Sequence, residues 1–181
     1  TTLFRSVVII GYGAIGRHCA RLLKAMGCGS ITGVRRTTVR TDLDRDADRI
    51  VGMGDLPGML GDADHIVVLL PGGPDTAGII TADHFSRMKS SAYFYNFGRG
   101  TCYDEDVLVD ALRRGAIAGA GLDVFAREPL PSDSPLWELP NVIILPHASA
   151  MGPDYLWLYL EQLTSALNDI VSYNSRHPVI S

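Results

Sequence analysis

Four polar residues follow apolar runs in this chain, and their types can do chemistry together. Arg99 stands in Asn96-Phe97-Gly98-Arg99-Gly100, Asp123 stands near the end of the run at 118–124 with Glu128 beyond it, and His147 follows Pro146 after the run at 142–145. An arginine clamps a carboxylate through two parallel hydrogen bonds. A histidine passes a proton to or from a carbonyl oxygen. A carboxylate beside that histidine fixes its tautomer and favours its protonated form. Ligands of an open parallel sheet bind beyond the carboxyl ends of its strands, which is where these residues fall.

The elements that must position them begin with Val7-Val8-Ile9-Ile10 and the turn Gly11-Tyr12-Gly13-Ala14-Ile15-Gly16. The apolar run reads as a buried parallel strand, and the turn has the G-x-G-x-x-G spacing of a dinucleotide site. Gly11 permits the tight turn, Gly13 lets backbone approach a pyrophosphate, and Gly16 lets the following helix pack on the strand. The helix N-terminus offers N–H groups and partial positive charge to phosphates. That helix is expected over 14–26, with Ile15, Cys19, Leu22, Leu23 and Met26 on one face and Gly27 as its stop. Ser30 to Val34 completes a strand–helix–strand unit.

Further strands are expected at 50–51, 65–70, 92–97, 118–124 and 142–145, with short helices at 55–60, 81–88 and 104–114 and a long last helix at 153–173. The mixed charges Arg40, Asp42, Asp44, Arg45, Asp46, Asp48 and Arg49 read as a solvated face, Leu136 and Trp137 as core plugs, and Cys102 as inert. His18, His65, His84 and His177 read as surface or packing residues. Short continuous strands alternating with helices predict an α/β fold: a doubly wound parallel sheet covered on both faces.

The length of 181 residues suits one domain, or one with an appendage, and 46% hydrophobic residues can build its core. A net charge of −4 argues against a general nucleic-acid binder. No apolar run approaches the ~18 residues of a membrane span. Three scattered cysteines, without C-x-x-C, and no evident signal peptide predict a reduced, cytoplasmic chain without a metal site. A dinucleotide turn beside an arginine, an acid and a histidine describes hydride transfer to a 2-keto acid.

The chain resembles the D-isomer-specific 2-hydroxyacid dehydrogenases, specifically their Rossmann-type nucleotide-binding domain, in members of the glyoxylate and hydroxypyruvate reductase type. The resemblance rests on the ordered set at 11–16, Leu-Pro-Gly-Gly-Pro-Asp-Thr at 70–76, Asn-Phe-Gly-Arg-Gly at 96–100, Gly-Leu-Asp-Val-Phe-Ala-Arg-Glu-Pro-Leu at 121–130 and Asn-Val-Ile-Ile-Leu-Pro-His at 141–147. It implies that Arg99 binds the substrate's carboxylate and carbonyl, that His147 is the acid/base, and that Glu128 partners it. It also implies cofactor contacts from Gly11, Gly13, Ala14, Ile15, Gly16, Leu70, Pro71, Thr76, Phe97, Gly98, Arg99, Asp123 and His147. On the residues alone, Arg99 as a loop anchor, Glu128 as a plain loop residue and Asp123 as a partner of buried amides remain open. The resemblance further implies a homodimer acting on a small 2-keto or 2-hydroxy acid. A dinucleotide-sensing module acting through protein partners is the rival reading.

Two departures from the family pattern matter. The family usually carries Asp at the end of the second strand, where Arg35, Arg36 and Thr37 stand here. An Asp repels a 2′-phosphate, whereas two guanidinium groups and a hydroxyl hold one, so NADP is expected in preference to NAD. The family also builds its substrate domain mainly from an N-terminal segment, whereas this chain enters the first nucleotide-binding strand almost at once from Thr1. The expected organisation is a dinucleotide-binding domain over 1–150 and a C-terminal helix and tail over 151–181, packing toward a substrate domain largely absent here. The isolated chain is accordingly expected to bind cofactor with little turnover. The last helix is apolar on more than one face, through Leu156, Trp157, Tyr159, Leu160, Leu163, Leu167, Ile170 and Val171.

Overall fold

A computed structural model describes residues 6–36 and 44–152 and, in the C-terminal segment, 154, 155, 157, 160–165 and 167. The chain divides into two compact units, Thr1–His147 and Ala148–Ser181. The first holds seven parallel strands: β1 (Ser6–Ile10), β2 (Ser30–Arg35), β3 (Arg49–Gly52), β4 (His65–Val68), β5 (Tyr93–Asn96), β6 (Gly119–Leu122) and β7 (Val142–Ile144). Their order is β3-β2-β1-β4-β5-β6-β7. The winding reverses between β1 and β4, which is the switch point where a doubly wound sheet binds its ligand.

Each strand forms because its residues are apolar on both faces of the sheet. Val8, Ile10, Ile66, Val68, Phe94 and Leu122 enter the larger core, while Val7, Ile9, Ile31 and Val67 enter the smaller. Helices α2 (Ala82–Arg87) and α3 (Glu105–Arg113) close the larger core. Helix α3 starts on Asp104, whose side chain accepts from the Asp106 N–H at 2.9 Å. It carries Glu105 and Asp106 in its first turn and Arg113 in its last, as the helix dipole favours.

The second face also carries a helix. Among the described residues of this unit, helix α1 (Ala14–Ala25) closes it over β1 and β2, leaving Tyr93 and Ile143 exposed farther along. The contact face of α1 differs from the expected one. Gly16 and Ala20 are its buried residues, with Cys19 and Leu23 partly buried, while Ile15, Leu22 and Met26 are exposed. Small residues win that contact because the helix lies close: a Cβ on Gly16 would come within 3.0 Å of the Gly11 carbonyl oxygen.

Other boundaries shift for local reasons. The segment expected as a helix at 55–60 is two 3-10 turns, Met53–Gly58 and Leu60–Asp62, because Pro57 lacks the N–H an α-helix needs. Strands β4, β5 and β6 stop sooner than their apolar runs. One further ladder bond each, from Leu69, Phe97 and Asp123 N–H, carries the chain over the sheet edge. Leu136 is buried as expected, but Trp137 is exposed, its indole N–H donating to Pro131 O at 2.8 Å. The mixed-charge run is also more than a solvated face. Asp44 is nearly buried and accepts from the Tyr12 hydroxyl at 3.0 Å and from the Asp46 and Ala47 N–H groups; Arg40 and Asp42 lie outside the described residues.

In the second unit, residues 155, 157, 160–165 and 167 are helical, and Trp157, Leu160, Leu163 and Leu167 are exposed. Leu156, Tyr159, Ile170, Val171 and His177 lie outside the described residues, as does Thr37.

Candidate active site

A cleft of about 760 Å³ opens at the switch point. The turn at Gly11, Tyr12, Gly13, Ala14 and Ile15 lines one side, the β2 end at Val34, Arg35 and Arg36 another, and Leu70 to Thr76 the third. Gly11 has φ +93°, and a Cβ there would strike the Leu69–Leu70 backbone, so the turn admits only glycine. Gly13 opposes it: an added Cβ meets nothing within 4 Å, leaving backbone open to the cleft. Helix α1 begins there with no side-chain cap and no acid in its first turn. Among the described residues no capping side chain or first-turn acid meets its positive end, which fits the pyrophosphate of a dinucleotide.

The two arginines differ in what holds them. The Arg35 Nε–H donates to Tyr12 O at 2.8 Å, its guanidinium lies 5.4 Å from the Tyr12 ring centre, and Asp44 approaches at 3.8 Å. Burial pushes the Asp44 carboxyl up. Hydrogen bonds from Asp46 N–H, Tyr12 and Ala47 N–H, with Arg17 nearby, outweigh that and hold it below the usual carboxylate range. Arg36 is exposed and meets Asp75 at 3.3 Å. The Thr76 hydroxyl donates to Pro71 O at 2.7 Å and so braces the loop that carries Asp75.

Beyond the other strand ends, His147 and Glu128 meet. His147 Nδ1 lies 2.7 Å from Glu128 Oε2, and the Phe125 N–H donates to Glu128 Oε1 at 3.0 Å. An ionised carboxylate only accepts, so the ring proton sits on Nδ1 and Nε2 is left for other partners. The His147 hydrogen bond holds the Glu128 carboxyl below its ordinary range. The Phe125 N–H and electrostatic attraction to His147 and Arg99 add to this against burial. His147 has φ +54°, a left-handed conformation that L-residues rarely adopt and that clusters at functional sites. The pair lines a second depression, about 490 Å³, with Phe125, Leu130, Trp137 and Leu145.

Arg99 links the two depressions. A Cβ on Gly72, which lines the larger cleft, would lie 3.2 Å from Arg99 Cγ, and Arg99 acts electrostatically on Glu128 in the smaller one. Its Nη1 donates to Gly98 O at 2.7 Å. The loop is fixed by Asn96, which is fully buried; its amide donates to Arg99 O and its carbonyl accepts from Gly98 N–H. Phe97 is partly buried, Gly98 is buried with its backbone against Leu70, and Asp123 is wholly buried at the end of β6. Cys102 is buried and its thiol is pushed up by that burial, consistent with an inert residue.

Sequence reasoning missed Asp44, Asp75, Met53 and Ile79 as parts of this region. Asp44 carried a readable local signal, an Asp bonding the N–H two residues on. The others are placed only by the fold.

Comparison with known proteins identifies the family and the fold. Residues 4–149 match the sequence profile of the D-isomer specific 2-hydroxyacid dehydrogenase, NAD binding domain. A glyoxylate/hydroxypyruvate reductase B from Klebsiella pneumoniae subsp. pneumoniae is 41% identical over 181 residues, 97% of this chain and 55% of that protein. A probable 2-ketogluconate reductase from Dictyostelium discoideum is 52% identical over 124 residues, 66% of this chain and 37% of that protein. An NADPH-dependent glyoxylate/hydroxypyruvate reductase from Sinorhizobium meliloti, solved with NADP and sulfate, superposes with a TM-score of 0.78 at 33% identity, covering 91% of this chain and 52% of that one. The chain thus spans about half the length, or less, of these relatives. It belongs to the D-isomer-specific 2-hydroxyacid dehydrogenase family, and residues 4–149 are that family's NAD-binding domain.

Proposed function

We propose that this chain is the NADP-binding part of a reductase that transfers hydride between NADPH and a small 2-keto acid of the glyoxylate or hydroxypyruvate kind. The observation that carries the reading is the Glu128–His147 pair at the strand ends, with Arg99 between it and the dinucleotide cleft. Bound NADPH supplies the hydride. Gly11, Gly13, Ala14, Ile15 and Gly16 receive the pyrophosphate at the α1 N-terminus. Arg35 and Arg36 face the 2′-phosphate, with Thr37 next in the sequence assigned to the same group, and Leu70, Pro71 and Thr76 run along the cofactor. Phe97, Gly98, Asp123 and His147 border the nicotinamide end. Arg99 clamps the substrate carboxylate. His147 gives a proton from Nε2 to the carbonyl oxygen, and Glu128 holds the ring for that transfer.

The relatives named above are reductases, all three with a keto acid in their names and one with NADPH as well, which favours the enzyme over a dinucleotide-sensing module. The C-terminal unit, with Trp157, Leu160, Leu163 and Leu167 exposed, is read as a face toward a substrate domain, and turnover is assigned to the whole protein. The test is twofold. Titration should show tighter binding of NADPH than of NADH, and the whole protein should oxidise NADPH with glyoxylate or hydroxypyruvate. NADPH binding without consumption on any small keto acid would count for the sensor.

Two further attributes follow the same reading. No helix among the described residues is long and apolar enough to cross a membrane, and Cys19, Cys28 and Cys102 are all free, which supports a reducing, cytoplasmic setting. A homodimer is supported by the exposed apolar pair Leu22 and Met26 on α1. Sedimentation equilibrium should give twice the monomer mass, and Leu22→Glu should return the monomer. A wild-type monomer at high concentration would rule the dimer out.

A further inference from the structure

Arg36 and Asp75 stand on opposite rims of the larger cleft. Arg36 follows β2, Asp75 belongs to the loop after β4, and both line the cavity. The Arg36 Nη1 and Asp75 Oδ2 atoms are 3.3 Å apart, and the two side chains are 84% and 79% exposed. The contact therefore spans the mouth while remaining in solvent. Its two sides are not equally mobile. The Thr76 hydroxyl and N–H groups tie the loop to Pro71 O and Gly73 O, so the carboxylate is presented from a braced backbone. Among the described residues Arg36 pairs with Asp75 alone, at the end of a long side chain, whereas Arg35 is committed to Tyr12 and Asp44.

Arg35 is already held in place, so Arg36 is the arginine that must move to meet an incoming phosphate. To do so it must leave Asp75. A phosphate offers more charge than a carboxylate and accepts a guanidinium through two parallel bonds, so it wins the exchange. The displaced carboxylate stays on the rim, close enough to repel the phosphate that replaced it. A cofactor with a bare ribose hydroxyl requires no such exchange and enters with the pair closed.

We propose that Asp75 is a specificity-determining residue: it competes with the 2′-phosphate of NADP for Arg36 and holds the preference for NADP below what the arginines alone would give. This rests on the NADP reading above. Because the pair is exposed, the effect is that of a surface ion pair and is screened by salt.

The test is fluorescence titration of NADPH and NADH with the wild-type chain, Asp75→Asn, Arg36→Gln and the double variant, at low and high salt. Asp75→Asn should tighten NADPH by about two- to fivefold at low salt, the range of an exposed pair, and leave NADH unchanged. The gain should shrink at high salt and vanish in the Arg36→Gln background. Asp75 is exposed, so thermal melting should not move. If the wild type prefers NADPH and Asp75→Asn binds it no better, the competition is refuted while the NADP reading stands. A gain that persists without Arg36 also refutes it. A wild-type preference for NADH overturns both.

Discussion

Replacing His147 by alanine should cut reduction of a 2-keto acid by about 10²–10⁴-fold in the whole protein, the range for losing a positioned general acid. NADPH binding should survive, because the cleft of the glycine turn and the β2 end lies apart from the Glu128–His147 pair. Glu128→Gln separates charge from shape. The amide keeps one acceptor oxygen, which can serve the His147 ring N–H or the Phe125 N–H, and loses the carboxylate charge together with the second acceptor. Turnover should fall by less than in His147→Ala, with the pH profile displaced.

The sign of that displacement follows from Glu128. Its carboxyl is held low by His147 first and the Phe125 N–H second. The interaction is fully present above the ordinary glutamate value of about 4.3 and is lost as pH falls through the depressed one. Activity and the stability it lends should therefore fail on the acid side, below the ordinary glutamate range, and the Gln variant should lack that limb. Turnover of His147→Ala equal to wild type would sink the acid/base role, and an unchanged acid limb in Glu128→Gln would sink the partnership.

What could be read from the chain, and what could not, follows from the range of each interaction. The strands were legible because a parallel sheet asks for short continuous apolar runs, and Val7 to Ile10 or His65 to Val68 satisfy that locally. Helix α3 was legible from Asp104, its acidic first turn and Gly115, all of which act within a few residues. The buried face of α1 was not. Periodicity marks the apolar stripe of Ile15, Leu22 and Met26, but close approach to the sheet selects Gly16 and Ala20 instead. Trp137 misled for a similar reason. Its ring suggests burial, yet its N–H finds Pro131 O at the surface. Asp44 looked solvated because its partner Tyr12 is 32 residues away.

The site was partly legible through one topological rule rather than through any local signal. Glu128 and His147 are 19 residues apart, and nothing between them announces their contact. Assigning each to a strand's carboxyl end brought them to one edge of the sheet. The rule does not reach the rims. Arg36 and Asp75, separated by 39 residues, lie on loops whose approach depends on how each leaves its strand.

The second large effect is expected at Gly100. An added Cβ there would overlap the backbone of Phe125 and Ala126. A clash with a side chain is relieved by rotation, but one with backbone moves a whole loop. That loop carries Glu128, and two carboxylates set its position: Glu128 takes the Phe125 N–H and Glu105 takes the Ala126 N–H, at 2.6 Å. On the other side of the clash stands Arg99, the neighbour of Gly100. Alanine at 100 thus separates the guanidinium from the Glu128–His147 pair in one step. Overpacking of this kind costs about 1–3 kcal/mol, which urea unfolding will read. Turnover should fall further than that loss of stability implies, since a shift of about 1 Å between reacting groups can cost about 10²-fold. Gly54→Ala is the control, because an added Cβ there meets nothing within 4 Å. It should leave both quantities unchanged. If Gly100→Ala unfolds at the wild-type urea midpoint and turns over at the wild-type rate, the loop is not the rigid link between Arg99 and Glu128 that this geometry requires.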